Sequence, residues 1–282
     1  MRSYLSVDLE DYRDATMRDM GLPPRPNPEQ TWRGVRAILG AVNAADGAKK
    51  LTFFVTGQVA RQQPDLLAYL ARDGHEIGCH GDVHENVWDL NRQAFAAALD
   101  RAVTSIERAA GTPPRGFRAP NFSIDARCPW VHEVLAESGF HYDSSYVSSE
   151  PRPGAAECMA IEAAGRTIYE FPIYRHRFAG PLAVRVIGGT YFRLLPSGAI
   201  NRLLRIGATA GYAPIIYLHA ADVDDRCEAV TLAEMESLSV SRRLGWAARQ
   251  RQWSAGSSGA LAKLATVLAA FPNRGPMGES IQ

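Results

Sequence analysis

Two hydrophobic periods alternate along this chain. Near-continuous apolar runs occur at Tyr4-Leu5-Ser6-Val7, Leu51-Thr52-Phe53-Phe54-Val55-Thr56 and Pro214-Ile215-Ile216-Tyr217-Leu218, the pattern of strands buried on both faces. Shorter segments of the same kind end at His80, at Phe117 and near Tyr142-Asp143-Ser144-Ser145. Between them apolar positions recur every three or four residues. Trp32, Val35, Ile38, Leu39 and Val42 predict a helix over 28–45, Val59, Leu66, Leu67 and Leu70 one over 58–72 capped by Gly74, and Phe95, Leu99, Val103 and Ile106 one over 92–110. Further helices are expected over 130–139, 196–211, 232–246 or beyond, and 260–271, with a break at 254–259. A hairpin is expected over 155–171. The alternation predicts an α/β protein of parallel βα units, each crossover helix covering the sheet. No repeat or long linker divides the chain, so one domain is expected over 1–272, with a disordered tail over 273–282.

Composition narrows the class without changing the fold. The 282 residues are 46% hydrophobic, enough for a packed core, and 31 basic against 30 acidic residues leave a net charge of +1. That balance gives no electrostatic case for nucleic acid or an anionic membrane as partner. No run of eighteen apolar residues is present, so no transmembrane segment is expected. The opening residues hold no apolar core of secretory-signal length, and Cys79, Cys128, Cys158 and Cys227 are scattered as free thiols would be. A cytoplasmic location is the expectation.

The candidate chemistry sits at strand ends. The first strand stops in Asp8, Glu10 and Asp11, and in open α/β architectures ligands collect at the carboxyl ends of parallel strands. Residues two apart on a strand point the same way, so Asp8 and Glu10 share a face, with Asp11 on the other unless the strand has already bent. In Gly74-His75-Glu76-Ile77-Gly78-Cys79-His80-Gly81-Asp82-Val83-His84-Glu85, two imidazoles stand four residues apart at a strand end. Neutral imidazoles suit zinc and similar ions, and one carboxylate from elsewhere would complete three ligands with a position left open. By itself this spacing is a weak signal in a chain with seven histidines. Pro23, Pro24, Pro26 and Pro28 make a stiff loop beside the acidic strand end. Tyr174, Arg175, His176 and Arg177 suit either a sugar groove or a solvated loop. Gly188-Gly189 allows a close backbone approach by a ligand or in a tight bulge.

Taken together, Thr52-Phe53-Phe54-Val55, Gly74 through His80 with His84, and Phe117-Arg118-Ala119-Pro120 resemble the polysaccharide deacetylase family with its NodB-homology domain. The opening Ser6-Val7-Asp8-Leu9-Glu10-Asp11, the run Gly188-Gly189-Thr190-Tyr191-Phe192-Arg193-Leu194-Leu195-Pro196 and Ile216-Tyr217-Leu218-His219 resemble its subgroup associated with bacterial exopolysaccharide export and exosortase loci. The resemblance covers about residues 3–225, leaving a helical extension over 226–272. It implies a distorted (β/α) barrel of about seven parallel strands that removes N-linked acetyl groups from amino sugars or glycan precursors with a divalent metal. Zinc is the first expectation, with cobalt, manganese or nickel as alternatives. By position, His80, His84 and Glu10 correspond to the metal ligands, with Asp11 as competitor to Glu10. Asp8 corresponds to the base, Arg118 to the arginine that pairs with it, the backbone N–H of Asn121 to an oxyanion donor, and His219 to the acid for the leaving group.

Amide hydrolysis needs such a set on chemical grounds: an activated water, a site for the oxyanion, and a proton for the departing amine. Relatives in the subgroup usually continue the last motif with a proline and an aromatic, where this chain has Ala220-Ala221-Asp222-Val223-Asp224-Asp225. Asp222 is left either orienting His219 or facing solvent. Two other functions share these residues: a deformylase or other non-peptide amide hydrolase, and a catalytically silent carbohydrate-binding relative. The second would have no need to keep Asp8, Arg118 and His219 together. Nothing in the sequence speaks to oligomeric state.

Overall fold

A computed structural model describes residues 1–281 apart from 48, 153, 155, 156, 179–182, 186 and 187. Its strands are β1 (Tyr4–Leu9), β2 (Thr52–Val55), β3 (Glu76–Cys79), β4 (Gly116–Phe117), β5 (Tyr142–Asp143), β6 (Val147–Ser148), β7 (Met159–Ala163), β8 (Arg166–Glu170), β9 (Ile173–Arg177), β10 (Ala183–Arg185) and β11 (Ile215–His219). Seven of them pair in parallel in the order β11-β1-β2-β3-β4-β5-β8, and β7 adds an antiparallel edge to β8 as the expected hairpin. The sheet curls into a half-barrel, while β6, β9 and β10 form a small second sheet. All six residues of β1 and all four of β2 are buried, which is why their sequences read as continuous apolar runs.

The helices are α1 (Tyr12–Met20), α2 (Pro28–Asp46), α3 (Gly57–Gln62), α4 (Pro64–Arg72), α5 (Arg92–Ala110), α6 (Val131–Glu137), α7 (Gly189–Leu194), α8 (Ser197–Thr209), α9 (Val240–Ser254) and α10 (Ala260–Ala270). One large core joins the inner faces of α2, α4 and α5 to β1 and β2. Helix α10 belongs to the same core through Leu264, Val267 and Leu268, packing on α2 and α8. None of the described helices is long and apolar enough to cross a membrane.

The structure departs from the expectations at four points. Helix α1 was hidden because it carries no apolar stripe; it starts where Asp11 caps it, accepting the Asp14 N–H. The helix expected over 58–72 is two helices, because Pro64 lacks an N–H and keeps Gln63 out of helical geometry (φ −137°, ψ 55°). The helix expected over 232–246 or beyond starts later, at Val240, and ends at Ser254 where the break was expected.

The fourth concerns the tail. Residues 273–281 are ordered against the amino ends of the strands rather than disordered. Asn273 is fully buried, accepting the Leu5 N–H and donating to the Lys50 carbonyl, while Met277 donates its N–H to Thr52 and sits among Tyr4, Phe54 and Phe171. The segment is polar and glycine-rich, so its hydrogen bonds leave no hydrophobic period in the sequence. It covers the end of the sheet opposite to the carboxyl ends.

Candidate active site

The carboxyl ends of β1, β3, β4 and β11 bring the predicted residues together. Asp8 and His219 are direct register partners on adjacent parallel strands, so the two side chains flank one position. Asp8 is buried at 2% exposure and pairs with Arg118 through Oδ1 at 2.8 Å. Arg118 is held on every side: its Nη1 also donates to the Ser6 hydroxyl at 2.7 Å, its Nε to the Ser144 carbonyl at 3.2 Å, its Nη2 to the Ser144 hydroxyl at 3.0 Å, and its plane lies 4.2 Å from the Phe54 ring. Burial pushes the Asp8 carboxyl toward the neutral acid, but Arg118, His80 and His219 outweigh it and hold its pKa below the ordinary value. Asp8 is therefore an ionised, oriented carboxylate.

His80 follows β3. Its Nδ1 lies 2.7 Å from the Arg118 carbonyl, which fixes that nitrogen as the donor and leaves Nε2 with its lone pair. Burial pushes its pKa down to about 4, so the ring is neutral at neutral pH. Gly81 (φ 78°) turns the chain, and His84 is held in the left-handed region (φ 63°), where a residue with a side chain is uncommon. That turn returns the His84 ring to 5.3 Å from His80, centroid to centroid.

Glu10 rather than Asp11 faces this pair. Glu10 Oε2 lies 2.7 Å from His84 Nε2, and its Oε1 3.9 Å from His219 Nε2. Both carboxylate oxygens of Asp11 are occupied elsewhere, accepting the N–H groups of Asp14 and Asn27. Burial opposes ionisation of Glu10, but His84 in particular overrides it and the carboxyl is held at about 2. Although close to His84, Glu10 Oε2 is buried without an aligned hydrogen bond. A buried carboxylate against one imidazole, with a second imidazole beside the first, is a donor set that fits a divalent cation. His80, His84 and Glu10 are nevertheless spread more widely than the one group of donors that lies within 4.8 Å among the described residues, which is His132, Asp143 and Glu170.

His219 is oriented by Asp222. Asp222 Oδ2 accepts the His219 backbone N–H at 2.8 Å and lies 3.0 Å from Nδ1, leaving Nε2 facing Glu10. Asp222 is itself buried and paired with Arg193, which also donates to Thr190 and to the Ala255 carbonyl after α9. The helical extension thus braces the histidine. Asn121 (φ 55°) lines the cleft with Glu10, His84 and His219, and its side-chain amide donates to Asn86. Trp253 and Arg249 of α9 form part of the far wall.

Sequence reasoning missed Arg193 and the two serines, Ser6 and Ser144, that hold Arg118. The signals were present, in Tyr191-Phe192-Arg193 and in Ser144-Ser145 after a strand, but no spacing rule ties them to their partners. Tyr174 through Arg177 lie on β9 rather than in a loop, Tyr174 packs against Tyr212, and none of the four lines this cleft. Gly188 makes its close approach to the Tyr217 ring, which a Cβ would meet at 2.0 Å.

Residues 34–142 match the family model for polysaccharide deacetylase, and residues 144–252 match a domain of unknown function (DUF3473). The chain is 33% identical over 112 residues to the peptidoglycan deacetylase-like protein FGM2 of Gibberella zeae, a match covering 40% of this chain and 32% of that protein. It is 31% identical over 85 residues to the peptidoglycan-N-acetylglucosamine deacetylase of Bacillus cereus, covering 30% of this chain and 31% of that one. The chain thus spans about a third of the length of these relatives. A solved Mycobacterium smegmatis protein, provisionally described as a polysaccharide deacetylase, shares the fold at a TM-score of 0.54 and 20% identity, covering 93% of this chain and 90% of that one. A carbohydrate esterase family 4 pseudoenzyme of Bacillus anthracis does so at 0.52 and 11%, covering 100% and 66%. Part of the chain thus matches the polysaccharide deacetylase model, and the structural neighbours share its fold.

Proposed function

We propose that this protein is a divalent-metal-dependent N-deacetylase acting on an N-acetylated amino-sugar glycan or its precursor, of the exosortase-associated subgroup. One observation carries the reading: an ionised carboxylate (Asp8, held by Arg118) is the register partner of an imidazole (His219, held by Asp222) that lines one cleft with Glu10 and His84. A catalytically silent relative has no need of that opposed and separately braced pair. The peptidoglycan and chitin deacetylases among the relatives support the same substrate class.

His80, His84 and Glu10 would hold the ion, and two imidazoles with one carboxylate suit zinc first. Bound there, it would polarise the acetyl carbonyl and lower the pKa of a coordinated water. Asp8 accepts the proton of the attacking water, and Arg118 keeps that carboxylate charged and aimed. The backbone N–H of Asn121 is the donor for the developing oxyanion, an interaction typically worth about 3 kcal/mol in the transition state. His219 delivers a proton to the departing amine from Nε2, its other nitrogen being turned to Asp222. Trp253 offers a face for a pyranose ring and Arg249 a cation for its polar groups. The four free cysteines support a reducing, cytoplasmic setting, and with it a glycan precursor as substrate.

The test is acetate release from free, nucleotide-linked and lipid-linked N-acetylated amino sugars, by metal-stripped protein with and without added zinc or cobalt. Metal-restored release that Asp8→Asn lowers by about 10²-fold or more is the expected result. Release that survives Asp8→Asn would refute the assignment of the base.

A further inference from the structure

We propose that His132, Asp143 and Glu170 form a second divalent-cation site, separate from the cleft and built to hold the segment that carries Arg118. Asp143 and Glu170 are register partners at the carboxyl ends of β5 and β8, side by side and both fully buried. Two carboxylates do not remain together out of water without positive charge between them. Each spends one oxygen on its own surroundings: Asp143 Oδ1 accepts the Ser145 hydroxyl, and Glu170 Oε1 accepts the Tyr146 N–H at 3.0 Å. The other two, Asp143 Oδ2 and Glu170 Oε2, are buried without a hydrogen-bond partner, and so is His132 Nε2 in the first turn of α6. These three atoms lie within 4.8 Å of one another.

The distances favour a shared ion over direct hydrogen bonds. His132 Nε2 stands 3.6 Å from Asp143 Oδ2 and 3.8 Å from Glu170 Oε2, too far for a hydrogen bond. Two ligands at about 2.1 Å from a tetrahedral ion stand about 3.4 Å apart, so a small inward movement of each donor closes the site. One imidazole and two carboxylates suit a borderline ion such as zinc or manganese better than calcium, which takes six to eight oxygens. His132, at 23% side-chain exposure, gives the ion a route in.

The cluster lies directly behind the candidate active site. Ser145 donates to Asp143 and accepts the Ala119 N–H at 2.8 Å, and Ser144 holds Arg118 through both its carbonyl and its hydroxyl. An ion on Asp143 therefore anchors the segment 143–145 that positions Arg118. The rival occupant is a proton. Burial opposes a charged His132 ring, yet Asp143 and Glu170 raise its pKa to about 10, and burial with the neighbouring Asp143 raises Glu170 to about 8. Without an ion, a charged His132 ring and a Glu170 carboxyl held toward its neutral form would share the cluster.

Ion counting separates the two. The full chain is stripped with chelator and dialysed against zinc or manganese, and bound ion per chain is measured by mass spectrometry for the wild type, His80→Ala/His84→Ala, His132→Ala, Glu170→Gln, and the triple histidine variant. The expected result is one ion retained by His80→Ala/His84→Ala and none by the triple variant, with His132→Ala and Glu170→Gln each holding one ion fewer than the wild type. Zinc should also raise the unfolding midpoint of His80→Ala/His84→Ala but not of the triple variant. Glu170→Gln removes a buried charge instead of stranding two, so it is the variant that best guards against misfolding, and circular dichroism checks both. A His132→Ala count equal to wild type, or no ion on His80→Ala/His84→Ala, overturns the proposal and leaves the proton-sharing cluster. An ion lost only through His132→Ala would instead sink the metal set of the proposed deacetylase, so the two readings fail separately.

Discussion

Replacing Arg118 by leucine tests whether the buried Asp8–Arg118 pair is one energetic unit. Leucine keeps much of the apolar volume over Phe54 but withdraws the donors that Ser6, Ser144 and Asp8 share. Asp8, at 2% exposure, is then an unpaired charge in the interior. Breaking a buried pair from one side costs about 3–5 kcal/mol, against a few tenths for an exposed pair. Fully buried on one side and almost so on the other, this pair belongs at the upper end of that contrast. Asp8→Asn removes the charge that Arg118→Leu orphans, so the double variant should be less destabilised than the sum of the singles by about 1–3 kcal/mol. Denaturant unfolding of the four metal-free chains measures the cycle. A cost below about 1 kcal/mol for Arg118→Leu, or strict additivity, would refute the claim that Arg118 holds a buried carboxylate ionised.

Asn273→Ala should lower stability by about 1–3 kcal/mol, because it strands the buried Leu5 N–H and Lys50 carbonyl; an unchanged thermal midpoint would mean that the tail does not dock in solution. His75 predicts a pH dependence: its Nδ1 accepts the Leu51 N–H, which requires a neutral ring, and burial lowers its pKa below the ordinary 6.5 against the opposing pull of Asp73. Below that value the unfolded chain takes up a proton that the folded chain resists. The contribution is therefore complete above pH 6.5 and is lost as pH falls from there toward the depressed folded value. His75→Gln should flatten the midpoint-against-pH curve in that window, and an unaltered slope would assign the dependence to another group.

Which parts of this design were legible follows from where the information resides. The parallel sheet was readable because strands covered on both faces must be apolar throughout, and β1, β2 and β11 are. Local chemistry that tertiary contacts override was not. Pro64 divides a helix whose apolar spacing runs straight through it, and residues 273–281 are ordered by hydrogen bonds to β1, β2 and β3 more than by any pattern of their own. At the site, His80 and His84 stood out by spacing, but the choice between Glu10 and Asp11 depended on where β1 stops. The strand ends at Leu9, after which Asp11 turns away to cap α1 and Glu10 stays on the cleft side. A difference of one residue in a strand end thus decides which carboxylate faces the cleft and which is a cap. The same holds for His219. Its orienting partner lies three residues on, in a short turn whose capping box joins the Asp222 carboxylate to the histidine's N–H, so what reads in sequence as a departure from the subgroup's motif is in space the brace of the proposed acid.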